Sequence, residues 1–312
     1  MAFSPLGSRR LLFVTGKGGV GKTTIAAGLA RALADEGKSV LLVALDKRSE
    51  VGEAFGVSNL SFEPTLIDER LSVMVLDTEA ALQEYLKLNL RIPIVAKLGL
   101  LANALDFVAN AAPGVREILT IGKLCYEVRE KHYDVIVADA PATGHIVGYL
   151  AAPQAINSFV RVGLIRNQTD WMVEILHDPD QTGVITVTTP EEMPILETQQ
   201  LLSTLASETQ VAVAAAVMNR MPDVVAHGAT LNLIERLIDE TPGEFENESV
   251  AGIVTATTLA VSRRREAERQ FTTLRDVVGG AFPIITQPNI ANVPAGSTMA
   301  IEVATALREE IA

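Results

Sequence analysis

The segment Gly16-Lys17-Gly18-Gly19-Val20-Gly21-Lys22-Thr23-Thr24 decides which fold this chain is expected to adopt. It fits the pattern GxxxxGK followed by Ser or Thr, and it lies between an apolar run and a helical pattern that begins at Lys22. Its glycines let backbone N–H groups curl around phosphate oxygens, and the next helix adds the positive end of its dipole. A chance match would lack this strand-loop-helix setting, so the segment predicts a loop that binds nucleotide phosphates.

Short aliphatic runs followed by helical or loop segments recur along the chain, as in buried parallel strands joined by crossovers. The predicted strands are Leu11 to Val14, Val40 to Leu45, Leu71 to Leu76, Asp134 to Ala138, Gly183 to Val187 and Val211 to Val217. This alternation predicts an α/β fold with a doubly wound, mostly parallel sheet, in which ligands bind at the carboxyl ends of the strands. The first helix is predicted from Lys22 to Glu36, with one apolar stripe formed by Ile25, Leu29 and Leu33.

We expect a single domain over residues 1–312, interrupted by a helical insertion at residues 79–130. Within this insertion, residues 98–108 are apolar around about half of the helical circumference. Two interpretations remain open. The apolar surface either forms a groove for a hydrophobic client helix or packs within the insertion and against another subunit.

Composition narrows the class of protein. A formal net charge of -12 argues against a nucleic-acid partner, and the densest basic cluster, at residues 263–269, is interleaved with glutamates. The single cysteine, Cys125, excludes an intramolecular disulfide, which fits a reducing cytoplasm. No stretch approaches the roughly 18 to 20 apolar residues of a membrane span, so we expect no integral membrane segment and contact with a membrane only through a partner.

The loop also indicates how ATP and Mg²⁺ would be bound. Lys22 is expected to neutralise the β and γ phosphates, and the hydroxyl of Thr23 to ligate Mg²⁺. Asp139 follows a predicted strand, where a carboxylate can hold a water molecule of the metal ion. The expected phosphate-binding residues are Gly16, Lys17, Gly18, Gly19, Val20, Gly21, Lys22, Thr23 and Thr24.

With its second lysine, Lys17, the loop resembles the deviant Walker A class of P-loop proteins. The run DAPATGH at residues 139–145 resembles the DTAPTGH switch of the arsenite-pump ATPases and of the ATPases that target tail-anchored membrane proteins. The resemblance implies that Lys17 reaches across a dimer interface to phosphates held by the other subunit. It also implies that Gly144 offers a backbone N–H near the γ phosphate.

Residues 46–55 are similar to the DPAHNLSDAF switch of the same family. The resemblance gives Asp46 the role of positioning the attacking water, and makes Asp46, Lys17 and Lys22 the catalytic set. Lys47, Arg48 and Ser49 replace the family's Pro-Ala-His, which puts the rate of hydrolysis in question. The alternative for Asp46 is that it only caps a turn.

The resemblance extends to the adenine pocket and to a strand-to-helix junction. Asn219 stands where the family reads adenine, and Pro288 and Asn289 stand where a second loop packs on the base. Residues 189–193, with Glu197 and Thr198, resemble the junction that precedes the family's docking helices.

The sequence is most similar to the actinobacterial arsenite-pump-like ATPases, which implies a homodimer or a heterodimer with a paralogous ATPase. The leading interpretation is a Mg²⁺-dependent ATPase that couples its nucleotide state to gripping and releasing a protein client or membrane complex. Two alternatives remain. One is a non-hydrolysing regulatory subunit of a heterodimer, and the other is the ATPase of a metalloid efflux pump. Capture of arsenite needs several thiolates, which one cysteine per chain does not supply.

Overall fold

The computed structural model describes residues 4–46, 50–89, 114–159, 162, 164–224, 236, 248–295 and 297–311. The strands form one sheet of eight. They are β1 (Leu11–Gly16), β2 (Val40–Ala44), β3 (Thr65–Asp68), β4 (Leu71–Val75), β5 (Val135–Asp139), β6 (Thr182–Thr188), β7 (Val213–Met221) and β8 (Ile284–Pro288).

Helices connect most of these strands. They are α1 (Ser4–Gly7), α2 (Lys22–Asp35), α3 (Thr78–Asn89), α4 (Val115–Glu130), α5 (Thr143–Phe159), α6 (Leu164–His177), α7 (Glu192–Glu208), α8 (Glu248–Val278) and α9 (Met299–Ile311). A short 3-10 turn, Glu53–Phe55, follows β2.

The order of strands across the sheet is β3-β4-β2-β5-β1-β6-β7-β8. All neighbours are parallel except β3, which runs antiparallel to β4 at one edge. Successive residues of β1 face opposite cores: Leu12 and Val14 join a cluster with α2 and α9, whereas Leu11 and Phe13 join a cluster with α4, α5 and α6. Helices therefore cover both faces of the central sheet, and the predicted doubly wound α/β fold is confirmed.

The six predicted strands are present with shifted ends. β1 continues to Gly16 because this residue pairs with Val187 of β6, so the first glycine of the predicted loop belongs to the sheet. Asp139 is the last residue of β5, and β7 runs on to Met221. The edge strands β3 and β8 were not predicted from the sequence. They are only partly buried and carry polar residues such as Gln287, which hide the aliphatic pattern of an interior strand.

Helix α2 lies directly behind the predicted phosphate loop. Its predicted stripe, Ile25, Leu29 and Leu33, is buried, and the helix ends one residue before the predicted Glu36. Gly28 permits close packing on α9, because a Cβ atom there would lie 2.2 Å from Cγ1 of Val303. The helix that presents the loop is thus fixed by close contact with the last helix of the chain.

The predicted insertion begins with α3 and ends with α4, but its apolar residues 98–108 lie outside the described residues. Lys123 of α4 joins the two helices: its Nζ lies 2.7 Å from a carboxylate oxygen of Glu84 in α3 and 2.7 Å from one of Glu127. Burial lowers the pKa of Lys123, but the hydrogen bonds and charges of the two glutamates outweigh it, so its net pKa is raised.

The basic cluster on α8 pairs with its own glutamates, as the interleaved sequence predicts. Arg264 bonds Glu268 at 2.8 Å, and Arg269 bonds Glu266. In the part of the chain that the structure describes, none of the helices combines the length and the apolar character needed to cross a membrane.

Candidate nucleotide-binding site

A Cβ atom would clash at two glycines of the loop. A Cβ atom on Gly16 would lie 2.0 Å from the carbonyl oxygen of Val187, which pairs with it in the sheet. Gly21 has a φ of 91°, in the left-handed region, and a Cβ atom there would lie 2.4 Å from Nδ2 of Asn219. The loop therefore packs closely against β6 at Gly16 and against β7 at Gly21.

The middle of the loop is open on one side. Gly18 and Gly19 are exposed, whereas Val20 is buried in the core beneath them. Lys22 and Thr23 begin α2, and Thr24 follows in its first turn. Gly21, as N-cap, has no side chain to cap the helix, so the first-turn N–H groups and the helix dipole face the loop. This arrangement is suited to an anion.

A hydroxyl and a carboxylate meet beside the loop. Thr23 donates from Oγ1 to Oδ2 of Asp139 at 2.8 Å, and Asp139 is buried at the end of β5. Oxygen ligands of this kind suit Mg²⁺. The ammonium group of Lys22 donates to the carbonyl of Lys17 at 3.1 Å. Burial lowers the pKa of Lys22, and the charge of Asp139 opposes that shift.

The predicted switch segments are hydrogen-bonded to β1 and to each other. Thr15 donates from its hydroxyl to the carbonyl of Pro141 at 2.8 Å, which joins β1 to the run at residues 139–145. The N–H of Leu45 donates to the carbonyl of Asp139 at 3.1 Å, so the exposed Asp46 follows directly beside it. Gly144 is exposed in the first turn of α5. Lys47, Arg48 and Ser49, the departures from the family's switch, lie outside the described residues.

The predicted adenine residues lie together beyond the loop. Asn219 is buried in β7, and the N–H of Asn289 donates to the carbonyl of Met221 at 3.0 Å, just after Pro288 ends β8. Asn219 donates from Nδ2 to the carbonyl of Val20 at 2.8 Å, and its Oδ1 accepts from the N–H of Arg220 at 2.9 Å. A carboxamide has a second N–H and a second lone pair. Asn219 therefore supports the phosphate loop, and its contact with adenine stays a prediction.

Lys17 has a partner that sequence reasoning did not assign. Its ammonium group forms an ion pair with the carboxylate of Glu197, in the second turn of α7. The sequence drew attention to Glu197 only as part of the junction before α7. No local signal connects two residues that lie 180 positions apart. The cross-subunit role of Lys17 stays a prediction, and within one chain this lysine is held by α7.

A parallel sheet whose first strand leads through a glycine loop into a helix, with a strand-end carboxylate beside it, defines the P-loop class of nucleotide-binding proteins. Residues 9–173 and 165–230 match the sequence model of a family described as anion-transporting ATPases. The chain belongs to this ATPase family, and the resemblance drawn from its motifs is confirmed.

Individual relatives agree with this assignment. The chain is 34% identical over 265 residues to the ATPase BagA of Mycobacterium tuberculosis, which covers 81% of this chain and 76% of that protein. It is 25% identical over 321 residues to an ATPase ASNA1 homolog of Plasmodium falciparum, covering 90% and 82%. It is also 33% identical over 164 residues to the ATPase GET3 of Chaetomium globosum, covering 52% and 48%. All three relatives are named as ATPases.

Proposed function

We propose that this chain is a Mg²⁺-dependent switch that hydrolyses ATP within a dimer and thereby grips and releases a protein client or membrane complex. One observation carries the catalytic part of the proposal. The Thr23 hydroxyl lies 2.8 Å from the Asp139 carboxylate, directly beside a loop that is open to an anion. This is the pair of oxygen groups that a metal ion bound to triphosphate requires.

The division of roles follows from position. Thr23 ligates Mg²⁺, and Asp139 holds a water molecule of the metal ion. Lys22 and the backbone of residues 16–24 bind the phosphates. A bound metal ion supplies positive charge to the phosphate oxygens. Since Thr23 and Asp139 already lie within hydrogen-bonding distance, little rearrangement is needed to place oxygen ligands around the ion.

Asp46 and Gly144 act on the terminal phosphate. Asp46 orients the attacking water, and the exposed N–H of Gly144 approaches the γ phosphate. Two hydrogen bonds support this assignment. The bond from Thr15 to Pro141 ties the second switch segment to β1, the strand that leads into the loop, and the bond from Leu45 to Asp139 joins the two switch segments. At the other end, Asn219, Pro288 and Asn289 contact the adenine.

The catalytic proposal is tested by phosphate release from ATP. We expect the purified chain to turn over ATP with Mg²⁺ and to stop when EDTA removes the metal. Thr23→Ala should lose most of the Mg²⁺-dependent rate, because it removes a metal ligand. Thr204→Ala is the matched control, since this threonine is half-buried on α7 and, among the described residues, its hydroxyl bonds only to a carbonyl of its own helix. Equal rates in the two variants would contradict the assignment of Thr23.

The dimeric and client-binding parts of the proposal rest on the family resemblance. Lys17 reaches the phosphates of a second subunit, and the protein works in the cytoplasm or at a membrane through its partner. Sedimentation velocity with Mg²⁺ and a non-hydrolysable ATP analogue tests dimerisation, which Lys17→Ala should weaken. A pull-down with Asp46→Asn, loaded with ATP, should retain a client or paralogue that the ADP-loaded protein releases. Recovery of the same proteins in both states would contradict nucleotide control.

The family's description raises anion transport as a second candidate, but the one cysteine does not support capture of a soft metalloid. Cys125 is buried in α4, and burial raises the pKa of its thiol well above the ordinary value. A buried, protonated thiol does not ligate arsenite, so the gripping of a protein partner is the function we favour.

A further inference from the structure

The observation that points beyond the proposed function is the ion pair between Lys17 and Glu197. The main chain of Lys17 belongs to the phosphate loop, where its carbonyl accepts a hydrogen bond from Lys22. Its side chain instead turns to α7 and pairs with Glu197, and the two side chains are 31% and 33% exposed. The Lys17 ammonium group must therefore leave this ion pair to reach the phosphates of a second subunit.

We infer that Glu197 is a positioning residue, which holds Lys17 in the nucleotide-free chain and releases it when a second copy of this chain presents bound ATP. The inference rests on the proposed role of Lys17 across a dimer. A triphosphate carries more negative charge than one carboxylate, so it competes for the ammonium group when two subunits approach. Glu197 thereby makes pairing of the subunits depend on nucleotide.

The surface around Glu197 suits contact with a second copy of the chain. Met193 lies four positions before Glu197, on the same face of α7, and Leu196 follows Met193 by three positions. Met193 is 58% exposed and Leu196 is 48% exposed, so both apolar side chains border the glutamate on the surface. This patch carries a positive group, a negative group and an apolar pair. A surface with both charges is self-complementary, as an isologous dimer interface requires.

The size of the effect follows from the exposure of the ion pair. An ion pair whose side chains are partly exposed, here 31% and 33%, shifts an equilibrium by about two- to fivefold. A symmetric dimer releases two such pairs, so the association constant of Glu197→Gln should rise by about four- to twenty-fivefold. The isosteric amide retains the shape of the side chain and removes the competing charge. Glu197→Asp, which keeps the charge, should restore part of the wild-type behaviour.

The experiment is a concentration series in sedimentation velocity on the full chain, with Mg²⁺ and a non-hydrolysable ATP analogue. Four proteins are compared: wild type, Glu197→Gln, Lys17→Ala and the double variant. Glu208→Gln is the matched control, because it removes an exposed carboxylate from the other end of the same helix. We expect Glu197→Gln alone to associate more tightly, and the change to disappear in the Lys17→Ala background.

The outcomes separate the two proposals. If the wild type stays monomeric, or if Lys17→Ala associates like the wild type, the proposed cross-subunit role fails and the inference fails with it. If Lys17→Ala weakens association but Glu197→Gln leaves it unchanged or weakens it, only the role of Glu197 is overturned. A tightening by Glu197→Gln that persists without Lys17 also overturns it, because the effect would then not act through that lysine.

Discussion

Replacing Gly21 by alanine tests whether the phosphate loop is held as the structure has it. Gly21 has a φ of 91°, and a side chain in the left-handed region costs roughly 1–2 kcal/mol. The new Cβ atom would also lie 2.4 Å from Nδ2 of Asn219. Asn219 must then give up its hydrogen bond to Val20, at a further cost of about 0.5–1.5 kcal/mol. We expect Gly21→Ala to lower the free energy of unfolding by about 1.5–3.5 kcal/mol.

Gly18→Ala is the matched control within the same loop. Among the described residues, no atom lies within 4 Å of a Cβ atom at that position, so the substitution should be neutral or stabilising by up to about 1 kcal/mol. Urea denaturation followed by the fluorescence of Trp171, the one tryptophan of the chain, measures both variants. Equal unfolding midpoints for Gly21→Ala and Gly18→Ala would refute the loop geometry and the contact with Asn219.

Three further predictions concern single side chains. Lys22→Ala should weaken ATP binding by about 10- to 150-fold in calorimetry, because it removes a charged hydrogen bond to phosphate, whereas the exposed Lys87→Ala should bind normally. Asp46→Asn should bind ATP with unchanged affinity and turn it over about 10²- to 10⁴-fold more slowly. An unchanged rate would indicate that Asp46 only caps a turn. The pKa of Lys123 is raised in the folded protein, so its charged form stabilises the fold at every pH below the ordinary lysine pKa of about 10.4. This stabilisation is lost as the pH rises through the higher pKa of the folded state. The stability difference between wild type and Lys123→Met should therefore shrink above about pH 10.4, and a constant difference would count against the pairing with Glu84 and Glu127.

Local signals in the sequence predicted the interior of the fold and the phosphate loop. Interior parallel strands such as β1 and β5 are largely aliphatic runs. The glycines of the phosphate loop and Lys22 all fall within nine consecutive residues, so their pattern is visible in the sequence. The edge strands were not predicted because a partly exposed edge accommodates polar residues, such as the half-buried Asp68 of β3.

Contacts between residues far apart in the sequence could not be predicted either. Asn219 lies 199 positions from Val20, and Glu197 lies 180 positions from Lys17. Only the folded sheet, with β7 and α7 beside the loop, brings these partners together. The residues proposed to bind nucleotide were thus predicted from motifs, whereas the residues that hold them in place could not be.

The assignment of the phosphate loop is tested by a crystal structure of the chain with Mg²⁺ and a non-hydrolysable ATP analogue. We expect a triphosphate enclosed by the backbone of residues 16–24, with a metal ion bound to the hydroxyl of Thr23 on the side of Asp139. A nucleotide bound elsewhere, or a metal ion that contacts neither of these residues, would refute the assignment.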